Sequence, residues 1–180
     1  IAVAKYDAHL PLYRQAEIYA RAGVELDRST LAQWAGRSAW LQAPLVEAIG
    51  RHVMAGDVLH ADDTTLPVLD PGRGQTKTGR LWAYVRDERP FASTAPPAVL
   101  FRYTPDRKGE RPQAHLAGYR GFLQADAYGG FADLYAPRGT SPAPITEIAC
   151  WAHTRRGLHD VFVATQSPLA AEALRRIAEV

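Results

Sequence analysis

The 180 residues predict an α/β fold, a mixed sheet flanked by helices and preceded by a small helical region. Three observations lead there. Apolar positions in the first third recur at helical spacing. After Gly56 they change to short runs with a period of two, the spacing of strands. From Gln113 onward such runs alternate with helical segments, which suits parallel strand addition, whereas the earlier loop-joined runs suit an antiparallel meander.

The helical region covers residues 1–56, and residues 57–180 form the sheet-bearing part. Leu12, Ala16, Tyr19 and Ala20 fall near one helix face, with Gly23 as its stop. Ser29 or Thr30 caps a second helix carrying Leu31, Trp34, Ala35 and Ser38 and leading to Leu41. Pro44 opens a third, expected to bury Leu45, Val46, Ile49 and Val53. The break around Gly23 gives the first two a helix-turn-helix-like spacing, which would make Ser29 to Arg37 a DNA contact; the alternative is a small helical bundle packed beside the main domain.

Strands are expected at Val58 to Ala61, ending in the pair Asp62-Asp63, then at Leu81 to Arg86 and Ala98 to Tyr103. Leu66 to Leu69 extends or follows the first. Between them, Asp70 through Gly79 is a glycine-rich basic loop with no phosphate-binding GxxxxGK spacing. A short helix at Gln113 to Tyr119, a strand at Gly121 to Ala125 ending in Asp126, and a helical turn at Phe131 to Tyr135 follow. A loop over 137–144 leads to a strand at Ile145 to Trp151 and a helix at Thr154 to Ala164. Ser167 with Pro168 starts the last helix, whose expected buried face is Leu169, Ala173, Leu174 and Ile177. This order is the one expected of an RNase H-like domain.

Composition narrows the class. Hydrophobic residues at 47% and charged residues at 22% are globular proportions, and a net charge of +2 does not by itself indicate nucleic acid. Basic residues nevertheless concentrate around Arg73 to Arg89, Arg102 to Arg111 and Arg155 to Arg156. Cys150 is the only cysteine, which excludes an intramolecular disulfide and a multi-cysteine zinc site. Lys5 and Asp7 interrupt the apolar start, and no stretch reaches membrane length without charges, so a cytoplasmic protein with no membrane partner is expected.

Asp62 and Asp126 are the candidate catalytic and metal-ligating residues. If the first and fourth strands are neighbours, their ends bring two carboxylates together, an oxygen-rich setting that Mg²⁺ or Mn²⁺ prefers. Such ions promote in-line phosphoryl transfer. The alternative for either aspartate is an ordinary turn or cap residue. Asp63 is expected on the opposite strand face from Asp62, and His60 on the same face. Arg73, Lys77, Arg80, Arg155 and Arg156 are the candidate DNA contacts. Cys150 is expected to be buried in a strand, and nothing places it beside His153.

Several long segments carry a resemblance. HLPLYRQAEIYARAGVELDRSTLAQW (His9 to Trp34), VLHADDTTLPVLDPGRGQTKTGRLWAYVRD (Val58 to Asp87), GFLQADAYGGFADLY (Gly121 to Tyr135), CWAHTRRGLHD (Cys150 to Asp160) and PLAAEALRRI resemble the central region of IS66-family transposases. The resemblance implies an RNase H-like core of the DDE type that cuts and joins double-stranded DNA, at transposon ends and target, with Mg²⁺ or Mn²⁺. It makes Asp62 the first catalytic aspartate and Asp126 the second. Asp63 stands where the family usually has glutamate, Thr65 where it has proline, and Gly157 where it often has lysine. The third acid, a glutamate, is expected downstream of Val180, so the isolated chain is expected to be a poor catalyst. A homo-oligomer or other transposition proteins are expected partners. Two other readings compete: a non-catalytic DNA-binding or assembly remnant, and an RNase H-like nuclease.

Overall fold

The computed structural model describes residues 1–137, 139 and 141–179. The expected loop over 137–144 therefore includes two positions, 138 and 140, outside the described residues. Contacts divide the chain into two compact units, Ile1–Ala48 and Ile49–Val180.

In the first unit a short helix α1 (Ala2–Tyr6) precedes α2 (Leu12–Arg21) and α3 (Arg28–Leu41), which pack on each other; α4 (Ala43–Met54) crosses into the second unit. Leu31 and Ala35 are buried as their spacing predicts. Gln15 is buried as well, and its Nε2 donates to the Leu10 carbonyl at 2.9 Å, tying α2 to the turn before it. Two expectations are corrected. The cap of α3 position is Asp27, not Ser29 or Thr30. Leu45 and Val46 are exposed, whereas α4 buries Val53 as expected and Gly50 in addition.

The second unit is a five-stranded mixed sheet flanked by helices, the RNase H-like arrangement. Its strands are β1 (Val58–Asp70), β2 (Gln75–Arg86), β3 (Ala98–Thr104), β4 (Gly121–Ala125) and β5 (Ile145–Ala149), in the order β3-β2-β1-β4-β5. β1, β2 and β3 pair antiparallel, while β4 joins β1, and β5 joins β4, in parallel. Helix α5 (Glu110–His115) and a 3₁₀ turn at Gly129–Leu134 flank β4 in sequence; α6 (Trp151–Thr165) and α7 (Pro168–Ile177) follow β5.

One sheet face makes the core. Leu59 and Ala61 of β1, Trp82 and Tyr84 of β2, Leu100 of β3 and Leu123 and Ala125 of β4 alternate inward. Val53, Leu116, Tyr119, Phe131 and Leu134 cover them. Trp82, with no exposed surface, donates its Nε1–H to Thr104 Oγ1 at 2.8 Å and meets Phe131 and His115 edge-on. Tyr84 Oη lies 2.9 Å from His115 Nδ1.

His115 is held below the ordinary imidazole range, first by burial and then by the positive charges of Arg102 and Arg111. The unfolded chain therefore takes up a proton on this ring at a higher pH than the folded one. Its contribution to stability is complete above about pH 6.5, the free imidazole value, and is lost as the pH falls toward the lowered folded value. Urea unfolding between pH 7.5 and 5.5 is expected to show this decline, and His115→Gln to flatten it. An unchanged slope in the variant would mean that other groups govern the region.

The start of β4 is set by Gly121, whose φ of +137° is open only to glycine, and where an added Cβ would meet the Asp57 carbonyl oxygen at 2.5 Å. That carbonyl accepts from the Phe122 N–H at 2.8 Å and from Tyr119 Oη at 3.0 Å. The close crossing locks β4 alongside β1.

Two strand ends and one buried helix face are corrected. β1 does not stop at the acidic pair but continues to Asp70, because its ladder with β2 runs on to Asp70↔Gln75. Threonines at 64, 65, 76 and 78 suit the extended backbone, and Pro67 is tolerated because β4 has already ended beside β1. β5 stops at Ala149, so Trp151 and His153 belong to α6 and Cys150 becomes its N-cap, partly exposed instead of buried in a strand. In α7 the cap at Ser167 is as expected, its Oγ accepting from the Ala170 N–H at 3.4 Å, but the buried residue is Ala170, and Leu169 is exposed.

Candidate functional site

β1 and β4 run parallel in the register Val58↔Phe122, Leu59↔Leu123, His60↔Gln124. The same offset of 64 residues separates Asp62 from Asp126, so the backbone brings the two candidate positions to neighbouring strand ends. Their side chains then diverge. Asp62 is exposed, on the sheet face shared with His60, and its Oδ1 accepts from the Asp63 N–H at 2.8 Å. Asp126 follows the last residue of β4 and turns away; its Oδ1 accepts from the Tyr128 N–H at 3.3 Å.

The side chain that shares a partner with Asp126 is Asp63. Alternation places Asp63 on the core face with Leu59 and Ala61, and its side chain is only 2% exposed. Arg80 Nη1 donates to its Oδ2 at 3.0 Å, and Arg107 reaches it with Nε at 2.9 Å and Nη2 at 2.7 Å. The same Arg107 Nη2 lies 3.2 Å from Asp126 Oδ2. Arg107 also stacks over the Tyr128 ring, 4.0 Å from its centroid, while the Tyr128 hydroxyl donates back to the Arg107 carbonyl. Hydrogen bonding to Asp63 is the main reason the guanidinium is held even more firmly protonated than usual.

Of the basic candidates, Arg73, Lys77, Arg155 and Arg156 are exposed. Arg73 and Lys77 lie on a two-stranded arm: the β1–β2 ladder runs past Arg80, the last β2 residue paired with β3, to the turn at Pro71–Gly74. The arm begins at Leu66↔Gly79, three residues after Asp63. Arg73 is loosely paired with Asp70, at 3.5 Å. Arg80 behaves differently, since its guanidinium is turned inward onto Asp63. Arg155 and Arg156 line a recess on α6 with Ala152 and His159.

A second recess lies beside Asp126, lined also by Glu147, Cys150 and His153. The structure thus brings Cys150 and His153 to one recess, and the His153 Nδ1 there is buried without a partner among the described residues. No three His, Cys, Asp or Glu side chains among the described residues are grouped as a metal ion would require. The Asp126 carboxylate is engaged by Arg107 through its Oδ2.

Sequence comparison agrees with the sheet topology. The family model described as "Transposase IS66 family" matches residues 1–180. The chain belongs to the IS66 transposase family. Similar proteins occur in Sinorhizobium fredii (strain NBRC 101917 / NGR234). The uncharacterized protein y4qI is 41% identical over 182 residues, covering 100% of this chain and 34% of that protein. The uncharacterized protein y4hP is 40% identical over 188 residues, with 98% and 34% covered. The chain therefore spans about a third of the length of these curated relatives. No helix among the described residues is long and apolar enough to cross a membrane.

Arg107 and Tyr128 are the site residues that sequence reading missed. Arg107 sits in an irregular polar stretch with no periodicity to orient it, and only the return of the chain after β3 brings it to the ends of β1 and β4.

Proposed function

We propose that this chain is a DNA-binding segment of an IS66-family transposase whose own carboxylates do not by themselves assemble a cation site. The observation that carries this reading is the closed Asp63–Arg107–Asp126 bridge, which neutralises the acids and leaves cationic side chains to face the duplex. Arg73, Lys77, Arg155 and Arg156 are the proposed phosphate contacts, with charge and reach rather than base recognition supplying the affinity.

Duplex binding measured by fluorescence anisotropy tests it. With about four phosphate contacts, affinity is expected to fall roughly a hundredfold between about 50 and 200 mM salt. It is expected to need no divalent ion and to survive Asp62→Asn and Asp126→Asn. Absence of binding, or binding that requires Mn²⁺ and both aspartates, would overturn the proposal.

A second reading is favoured by the shared β1–β4 register: a DDE-type transferase in which Asp62 and Asp126 hold Mg²⁺ or Mn²⁺ for cutting and joining DNA. When bound, such ions activate the attacking oxygen and stabilise the leaving one. Here Asp126 would first have to leave Arg107. Mn²⁺ calorimetry separates the readings, since only the second expects binding that each aspartate variant loses. Transfer of a 3′-hydroxyl donor to target DNA would then distinguish a transposase from a nuclease of the same fold.

A further inference from the structure

We infer that Arg107 is a preset phosphate contact, fixed by Asp63, Asp126 and Tyr128 so that its remaining edge receives a DNA phosphate beside the two strand ends. The inference rests on the DNA-binding reading above and names a contact in the irregular segment between β3 and α5.

A guanidinium has five N–H donors in a rigid fork. In Arg107, Nε and Nη2 are committed to Asp63 and Asp126, whereas Nη1 has no partner among the described residues. The side chain is 34% exposed, and its Nε–Nη2 edge is the anchored one. Anchoring is thorough. Asp63 is nearly sealed from water and takes two donors of the fork. The guanidinium carbon lies over the Tyr128 ring, 4.0 Å from its centroid, and the Tyr128 hydroxyl donates to the Arg107 carbonyl. A cation held this way loses little conformational freedom when an anion arrives, unlike Arg73 or Lys77 on the exposed arm.

Charge supports the same conclusion. Asp63 is already compensated by Arg80, so Arg107 is not needed solely to neutralise it. Two arginines against Asp63 and Asp126 leave the cluster balanced, so a phosphate oxygen meets a cationic edge rather than a bare acidic pocket. Charge-assisted N–H donation to phosphate is also among the stronger hydrogen bonds. Arg107 is bound to Asp63, three residues before the two-stranded arm begins at Leu66↔Gly79, so DNA lying along the arm would pass close to it.

Duplex affinity measured against salt, with folding checked by urea unfolding, tests the contact. In Arg107→Gln, the slope of log K against log salt is expected to shrink by about one, the loss of one phosphate contact. Affinity at low salt should fall about tenfold. Should Arg107→Gln not fold, Arg107→Lys keeps a positive charge against Asp63 but lacks the fork to bridge both acids and a phosphate. Its affinity is expected to fall severalfold with the slope retained. A folded Arg107→Gln with wild-type slope, or Arg107→Lys with wild-type affinity, would overturn the inference. Failure of the wild-type chain to bind duplex at all would instead overturn the DNA-binding reading beneath it.

Discussion

Asp63→Ala is expected to destabilise the second unit by about 3 kcal/mol, while Asp62→Ala one position earlier shifts stability by no more than ~0.5 kcal/mol. Asp63 is 2% exposed and accepts from two arginines, so its removal leaves Arg80 without its anion and Arg107 with Asp126 alone. Breaking a buried ion pair by deleting one partner costs roughly 3–5 kcal/mol. The lower end applies because the Arg80 and Arg107 side chains are 25% and 34% exposed and can recover some water. Asp62 is exposed, and its one hydrogen bond is to the next backbone N–H. Urea unfolding of the two variants measures the contrast. Equal effects would show that Asp63 is not the structural member of the pair.

Trp82→Ala is expected to cost about 3–5 kcal/mol, the range for emptying a buried indole site. The ring has no exposed surface, meets His115, Tyr128 and Phe131 at centroid distances of 6.1–6.3 Å, and holds Thr104 through its N–H. His115 ends α5 and Phe131 lies in the 3₁₀ turn, the elements next in sequence to Arg107 and Tyr128. Trp82→Phe should recover much of the packing but leave the Thr104 hydroxyl without its donor, for a loss of about 1–3 kcal/mol. Equilibrium unfolding followed by circular dichroism would check both values. A Trp82→Ala chain as stable as wild type would place the core elsewhere.

Much of the sheet was legible in the sequence. Alternation at Leu81 to Arg86 and Ala98 to Tyr103, and the short apolar run Gly121 to Ala125, mark strands that the structure contains. Period two also placed Asp62 and Asp63 on opposite faces, and the structure buries one and exposes the other. The long β1–β2 arm was read mainly as a loop. Glycine and proline at 71–74 mark a turn locally, but only pairing with the opposite strand keeps Leu66 to Asp70 extended. The buried sides of α4 and α7 were misplaced because helical spacing defines a stripe without saying what lies against it.

The α/β pattern, the strand-end aspartates and the transposase family resemblance are readable from the chain alone, because periodicity and long motifs are local properties of it. The tertiary structure alone decided that Asp63 and Asp126 share Arg107, that Arg80 faces inward, and that Cys150 caps α6. Arg107 is 44 residues from Asp63 and 19 from Asp126, separations at which no local spacing encodes a contact. Such contacts exist only once β4 has docked in parallel on β1 and the chain after β3 has folded back over their ends.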